Sequence, residues 1–261
     1  MAARIFVPMP LAAGTVFSLP KGQSRHVQVL RLQPGDTIVL FNGDDGLEWP
    51  ARIIRIDRQS VDLRIGDANA GDAAPVPLDR ELPMQVTLAL GVPANERMDS
   101  LVEKATELGV AAIQPLICER SVVRLAGDRA DARRLHWSAV AASASEQSGR
   151  VRVPSIGSPL KLDAWLQSLP ATTSSAAQSR LVLSFDRSAQ PPAAVLMAHP
   201  CGSGSTWLVL SGPEGGLAPA EEERAVAAGF LRVSLGARVL RADTAPLALL
   251  AWLGLTIRLG A

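Results

Sequence analysis

The chain is predicted to be an α/β protein: a small β-barrel followed by a larger domain built on a parallel sheet. Three observations predict it. Residues 1–65 hold five short β-rich segments separated by Gly, Pro and Asp turns. Near Met84 the pattern changes to strand, amphipathic helix, strand, the mark of a β-α-β unit. Near the C-terminus two glycine-containing loops follow buried-type strands, Leu208-Val-Leu-Ser-Gly-Pro-Glu-Gly-Gly216 and Leu235-Gly-Ala-Arg-Val-Leu-Arg-Ala-Asp-Thr-Ala245.

In the first region, Arg4–Val7, Thr15–Leu19, Thr37–Phe41, Ala51–Ile56 and Ser60–Ile65 read as strands. So many strands in so short a stretch suggest a barrel. Asn42-Gly43 and Asp45-Gly46 mark turns. We assign residues 1–70 to the barrel. Residues 71–83, rich in Ala, Asp and Pro, read as a linker, and residues 84–261 as the second domain. There, Gln85–Val92 reads as a strand. Met98, Leu101, Val102, Ala105 and Leu108 form one helical stripe that Gly109 can end. Ala112–Cys118 is a strand, Asp128–Ser148 a long helix, Leu162–Leu169 a short one and Thr172–Ser179 a polar loop. Strands Leu181–Phe185, Trp207–Leu210 and Arg232–Leu235 alternate with helices Ala193–Ala198 and Pro219–Ala228. Pro219 and the run Glu221, Glu222, Glu223 suit a helix start. Thr244 is expected to cap a closing apolar helix, Pro246–Leu259.

Composition narrows the function. At 261 residues the chain can bury a proper core. No apolar run is long enough for a membrane span, and Met-Ala-Ala-Arg-Ile-Phe-Val-Pro has no signal-peptide core. Cys118 and Cys201 lack neighbours at metal-ligand spacing and read as reduced thiols of a cytoplasmic protein. No metal is expected. Net charge is only +1, but Arg120, Arg124, Arg129, Arg133, Arg134, Arg150 and Arg152 fall in one region. They form either a phosphate-facing surface or a solvated helix face.

Taken alone, Gly212-Pro-Glu-Gly-Gly216 is an ordinary strand-to-helix connection. No Gly-Lys-Ser/Thr makes it a phosphate loop, and no Gly-x-Gly-x-x-Gly makes it a dinucleotide fingerprint. Two such loops at neighbouring strand ends offer exposed backbone N–H and C=O groups, a pocket for an adenine, a ribose or a methionine tail.

The paired loops resemble the cofactor site of the SPOUT-class RNA methyltransferases, and more narrowly that of the RsmE family, which methylates uridine N3 in small-subunit ribosomal RNA. Further motifs extend the likeness: Arg25-His26-Val-Gln-Val-Leu30-Arg31 with Pro34-Gly35-Asp36; Met98-Asp99 with Glu103-Lys104-Ala-Thr-Glu107-Leu108-Gly109; Glu119-Arg120-Ser121; and Glu146-Gln147-Ser148-Gly-Arg150. The family usually has Glu where this chain has Asp243.

The resemblance implies a PUA-like RNA-binding barrel, a C-terminal trefoil knot, a homodimer, S-adenosyl-L-methionine as cofactor, and 16S rRNA or the small ribosomal subunit as partner. Leu210, Gly212, Glu214, Gly215, Gly216, Leu235, Gly236, Val239, Leu240 and Thr244 would hold the cofactor. Arg25, His26 and Arg31 would touch RNA. No side chain stands out as a base for the uridine N3 proton. His136 and His199 sit on a helix face and in a loop. Arg120, Arg124 and Arg150 are instead expected to hold phosphate and the ionised base, with Glu146 orienting one of them. Trp49 offers a stacking surface or fills the barrel core. Two other readings stay open: methylation of another RNA such as tRNA, and a non-catalytic RNA-binding dimer.

Overall fold

A computed structural model describes residues 2–78, 80–94, 97–123, 125–170, 178–198 and 204–258. Arg124, His199, Cys201, Leu259 and most of the Thr172–Ser179 loop lie outside them. The chain divides into two compact units, Met1–Glu81 with Ser145–Val153, and Leu82–Ala144 with Pro154–Ala261. Ser145–Val153, inside the 84–261 stretch, belongs to the first unit, which is therefore built from two separate stretches of chain.

The first unit is a six-stranded sheet. It comprises β1 (Arg4–Phe6), β2 (Val16–Ser18), β3 (Thr37–Phe41), β4 (Leu47–Ile56), β5 (Val61–Ile65) and β6 (Val76–Pro77), in the order β1-β3-β4-β5-β2 with β6 on β4. β1 runs parallel to β3 and the other pairs are antiparallel. Strand alternation buries Ile38, Leu40, Ala51, Ile53, Leu63 and Ile65 against Ile5, Val7 and Val27. The β3–β4 turn is held by Asn42, whose Oδ1 accepts from the N–H groups of Asp44 and Asp45. Trp49 packs partly buried against this core and donates from Nε1 to Asp45.

The all-β reading of residues 1–65 needs one correction. Lys21–Val29 is a helix, α1, following Pro20. It has no side-chain cap and contains Gly22 and two valines, so its local preference for helix is weak. Burial of Ser24 and Val27 on one face holds it down. It ends at Val29 with Leu30 as C-cap, and Arg31 follows with a φ of +57°, the only positive value for a non-glycine residue among the described residues.

The second unit is a seven-stranded, wholly parallel sheet. Its strands are β7 (Gln85–Gly91), β8 (Ala112–Ile117), β9 (Ser155–Ile156), β10 (Leu160–Lys161), β11 (Gln178–Leu183), β12 (Thr206–Ser211) and β13 (Leu231–Val233). The order is β10-β8-β7-β12-β11-β13, with β9 on β8. Residues 207–211 of β12 are all buried, as expected for a strand covered on both faces. The helices are α2 (Arg97–Glu107), α3 (Asp128–Ser148), α4 (Leu162–Ser168), α5 (Pro192–Ala198), α6 (Pro219–Ala227) and α7 (Thr244–Arg258). α2 buries the expected stripe of Met98, Leu101, Val102 and Ala105, and Gly109 follows in the left-handed region at φ +94°. No helix among the described residues is long and apolar enough to cross a membrane.

Candidate functional site

The parallel sheet has a switch point between β7 and β12. The chain leaves β7 through α2 to β8 on one side. It leaves β12 through α6 to β13 on the other. Ligands favour the carboxyl ends of strands at such a point. A cavity of about 770 Å³ lies there, lined by Leu183, Ser211 and Val233 at the ends of β11, β12 and β13.

The two glycine loops form much of its wall. Gly212, Pro213, Glu214, Gly215 and Gly216 come from one, and Leu235, Gly236, Arg238, Val239 and Leu240 from the other. Gly216 and Gly236 have φ of +68° and +103°, and a Cβ built on either would meet nothing within 4 Å. Their backbones therefore face open space, as a close approach to ligand requires. Gly212 is needed for the turn itself, because a Cβ there would lie 2.7 Å from Leu217 N.

The first loop is fastened on both sides. The Glu214 carboxylate accepts from Ala94 N–H at 2.9 Å and from Arg97 Nη1 at 3.3 Å. Arg120 Nη1 donates to Gly215 carbonyl at 3.0 Å. A Cβ on Gly215 would meet Arg120 Cβ at 3.2 Å, so this glycine makes room for Arg120. Beneath it Gly91, the last residue of β7, leaves space for Pro213. Buried Glu221 accepts from Ala218 N–H and from Glu119 N–H, joining the start of α6 to the loop after β8. On the opposite wall Glu222 accepts from Ser184 Oγ and from Arg232 Nε, each at 2.7 Å. Asp186, also at the cavity, accepts from the Ser188 hydroxyl and N–H, which hold its carboxyl below the ordinary range.

Of the expected cofactor residues, Gly212, Glu214, Gly215, Gly216, Leu235, Gly236, Val239 and Leu240 line one cavity. Leu210 is fully buried in the core behind it. Thr244 is the exposed first residue of α7, and its neighbour Ala245 lines the cavity instead. Of the four residues expected to act on the base, Arg120 is at the cavity and Arg124 lies outside the described residues. Glu146 and Arg150 are not among the lining residues, and both have partners in the first unit. Glu146 accepts from Phe6 N–H at 2.8 Å and faces His26 Nδ1 at 3.5 Å, while burial pushes its carboxyl above the usual range. Arg150 is 4% exposed and donates to the Glu81 carboxylate. Arg25 is exposed on α1, His26 is half-buried beside Glu146, and Arg31 is exposed.

Sequence reasoning missed Gly91, Arg97, Phe185, Arg232, Arg238 and Arg241 as site residues. The last five line the cavity, as does Glu222, which belongs to the C-terminal motif set. Arg238 and Arg241 lie inside the second loop motif and were legible there. Phe185 gave no local signal. It is 66% exposed at the cavity, an unusual position for a large apolar ring. Among the described residues no cluster of His, Cys, Asp and Glu is arranged to hold a metal.

Residues 80–254 match the RNA methyltransferase domain family, and residues 19–66 the PUA domain of RNA methyltransferases. The ribosomal RNA small subunit methyltransferase E of Bacillus subtilis is 30% identical over 237 residues, 88% of this chain and 86% of that protein. The crystal structure of a ribosomal RNA small subunit methyltransferase E from Neisseria gonorrhoeae, bound to S-adenosyl methionine, superposes with a TM-score of 0.84 at 34% identity, covering 98% of each chain. A Legionella pneumophila structure in complex with the same cofactor gives a TM-score of 0.86 at 30% identity, again over 98% of each chain.

Proposed function

We infer the function from a plain premise: the chain belongs to the ribosomal RNA small subunit methyltransferase E family. It is an S-adenosylmethionine-dependent enzyme that methylates 16S rRNA, and we place the methyl on a uridine N3. The observation that carries this reading is the cavity at the switch point, walled by both glycine loops.

The residues present fit the cofactor. Gly216 and Gly236 offer bare backbone toward open space. Leu235, Val239 and Leu240 supply apolar wall for an adenine. Asp243, between the cavity-lining Ala242 and Ala245, keeps a buried Oδ1 with no hydrogen-bond partner. Such an atom favours a ligand donor such as a ribose hydroxyl or an ammonium group. When bound, the cofactor supplies an electrophilic methyl.

The protein's share is to orient the base and to stabilise it once its N3 proton has left. Arg120 is our choice for the cation that does so, since its guanidinium is held at the cavity wall by Gly215 carbonyl. Arg124 is a second candidate on sequence alone. Arg25 and Arg31, exposed at α1 and just beyond it, are assigned to RNA phosphate. The C-terminal knot and a homodimer belong to the same proposal. α7 buries Leu249, Leu250 and Leu253 but leaves Leu255 71% exposed, an apolar position suited to a second subunit.

The test uses purified protein, methyl-labelled S-adenosylmethionine, and small subunits from a strain lacking the family's enzyme. Nuclease digestion and mass spectrometry should find 3-methyluridine in 16S rRNA. Methyl appearing only on tRNA, or on another uridine atom, would refute the assignment.

A further inference from the structure

A lateral row of side chains crosses the outer face of the N-terminal sheet. Thr37 on β3 is the register partner of Arg52 on β4, Arg52 of Arg64 on β5, and Arg64 of Val16 on β2. Their chain neighbours Ile38, Ala51, Ile53, Leu63 and Ile65 are buried, so alternation directs the row away from the core. Two arginines directly opposite each other repel, and a sheet ordinarily favours opposite charges there.

Neutralisation of the pair is incomplete. Arg64 reaches Asp72 at 3.0 Å, and the same Asp72 oxygen also accepts from Asp67 N–H. Arg52 is exposed, and its side chain has no hydrogen-bond or ion-pair partner among the described residues. The surface here is concave. Thr37, Arg52, Arg64, Gly66, Gly71 and Asp72 help line a cavity of about 250 Å³. Its wall is built by a tight return of the chain: Asp67 caps a short 3₁₀ turn at Ala68–Ala70, and Gly71 follows at φ +84°. A Cβ on Gly66 would lie 2.8 Å from Ala73 carbonyl, so the return depends on that glycine. The space is smaller than the roughly 300–1,000 Å³ of ordinary small-molecule sites.

We propose that this pocket binds a phosphodiester of the RNA strand, with Arg52 as a two-pronged donor and Arg64 and the Thr37 hydroxyl beside it. A guanidinium matches two phosphate oxygens at once, and an incompletely neutralised arginine pair needs just such an anion. The site is distinct from Arg25, His26 and Arg31, which lie on or after α1. It rests on the reading of the protein as an enzyme acting on RNA.

The test is anisotropy of a short fluorescein-labelled single-stranded RNA on the full chain across a salt series. Arg52→Ala should bind about fivefold more weakly and lower the log–log salt slope by roughly 0.7, one phosphate contact. Arg52→Lys should keep the slope but recover only part of the affinity. Calorimetric S-adenosylmethionine binding should be unchanged in both, which shows that the second unit is intact, and parent-like circular dichroism and Tm show the same for the unit that carries Arg52. An Arg52→Ala protein with the parent's affinity and slope overturns the site while leaving the methyltransferase reading in place. A parent that binds no RNA overturns the phosphodiester site, while the methyltransferase reading stands or falls on the small-subunit methylation assay. Titration with inorganic phosphate separates the remaining source. If the parent binds phosphate, Arg52→Ala loses it, and RNA binding is unaltered, the pocket is a small-anion site and the RNA assignment falls.

Discussion

Replacing Gly91 by Ala asks whether the first glycine loop owes its shape to the strand beneath it. A Cβ at this position would lie 2.5 Å from both N and Cδ of Pro213 and 3.0 Å from Gly212 carbonyl carbon. Comfortable carbon contacts are about 3.5–4.0 Å, so the loop must retreat by roughly 1 Å. The obstacle is backbone and a proline ring, which no rotamer change can move aside. Overpacking of this kind costs about 1–3 kcal/mol, and in a domain of this size each kcal/mol lowers Tm by roughly 2–4 °C. The same displacement shifts the groups that face the cofactor, and misplacement by about 1 Å can cost a hundredfold in rate. Calorimetry should find S-adenosylmethionine binding at least about tenfold weaker, with methyl transfer falling further. Gly22→Ala is the control. Its Cβ would meet nothing within 4 Å, and alanine in the first turn of a helix should leave stability unchanged or slightly raised. Parent-like cofactor affinity and Tm in Gly91→Ala would refute the claim that β7 shapes the loop.

Four shorter predictions concern other parts of the molecule. Arg31 sits at φ +57°, a strained conformation for a side-chain-bearing residue, so Arg31→Gly should raise Tm slightly while weakening RNA binding. A variant that binds RNA as the parent does would separate the strain from function. The Glu146 carboxyl is raised by burial, so the folded state holds its proton more tightly than the unfolded state. Stability should therefore fall as pH rises from the ordinary Glu range through the elevated folded value, and Glu146→Gln should gain on the parent across that window in denaturant titrations. An unchanged difference between the two at pH 4 and pH 8 would count against it. Burial first, and then the Glu221 carboxylate, push the Cys118 thiol up to about 12, so peptide mapping after alkylation of the native protein at pH 8 should find it unlabelled. Leu255→Asp should shift light-scattering mass from dimer to monomer, and a parent already monomeric at micromolar concentration would end the dimer proposal.

What could be read in the sequence was local. The β7-α2-β8 unit, α3 and the glycine loops announce themselves through spacing and turn residues. α1 does not, because Ser24 and Val27 are its only buried positions and no side chain caps its start. Its helical state is a consequence of packing on the β-sheet core, as tertiary context overrides weak propensity. The placement of Ser145–Val153 was hidden for a related reason. Arg150 meets Glu81, 69 residues earlier, in a stretch that composition marks only as linker. Nothing in the neighbourhood of either residue names the other.

The arginines show how the same composition divides once partners are known. Counted along the chain, Arg120, Arg150 and Arg180 look alike. In the fold, Arg120 donates to Gly215 carbonyl at the cavity. Arg150 is sealed against Glu81. Arg180 is 5% exposed and donates to the carbonyls of Pro170 and Ala228, its guanidinium lowered from the ordinary value by burial. Arg150 and Arg180 satisfy acceptors of the protein itself, which is what burial of a guanidinium demands, whereas Arg120 is exposed. Arginines available to RNA are therefore to be sought among those that are exposed and poor in protein partners. That criterion removes Arg150 from the cluster that suggested a phosphate surface, keeps Arg25 and Arg31, and adds Arg52, which no motif had singled out.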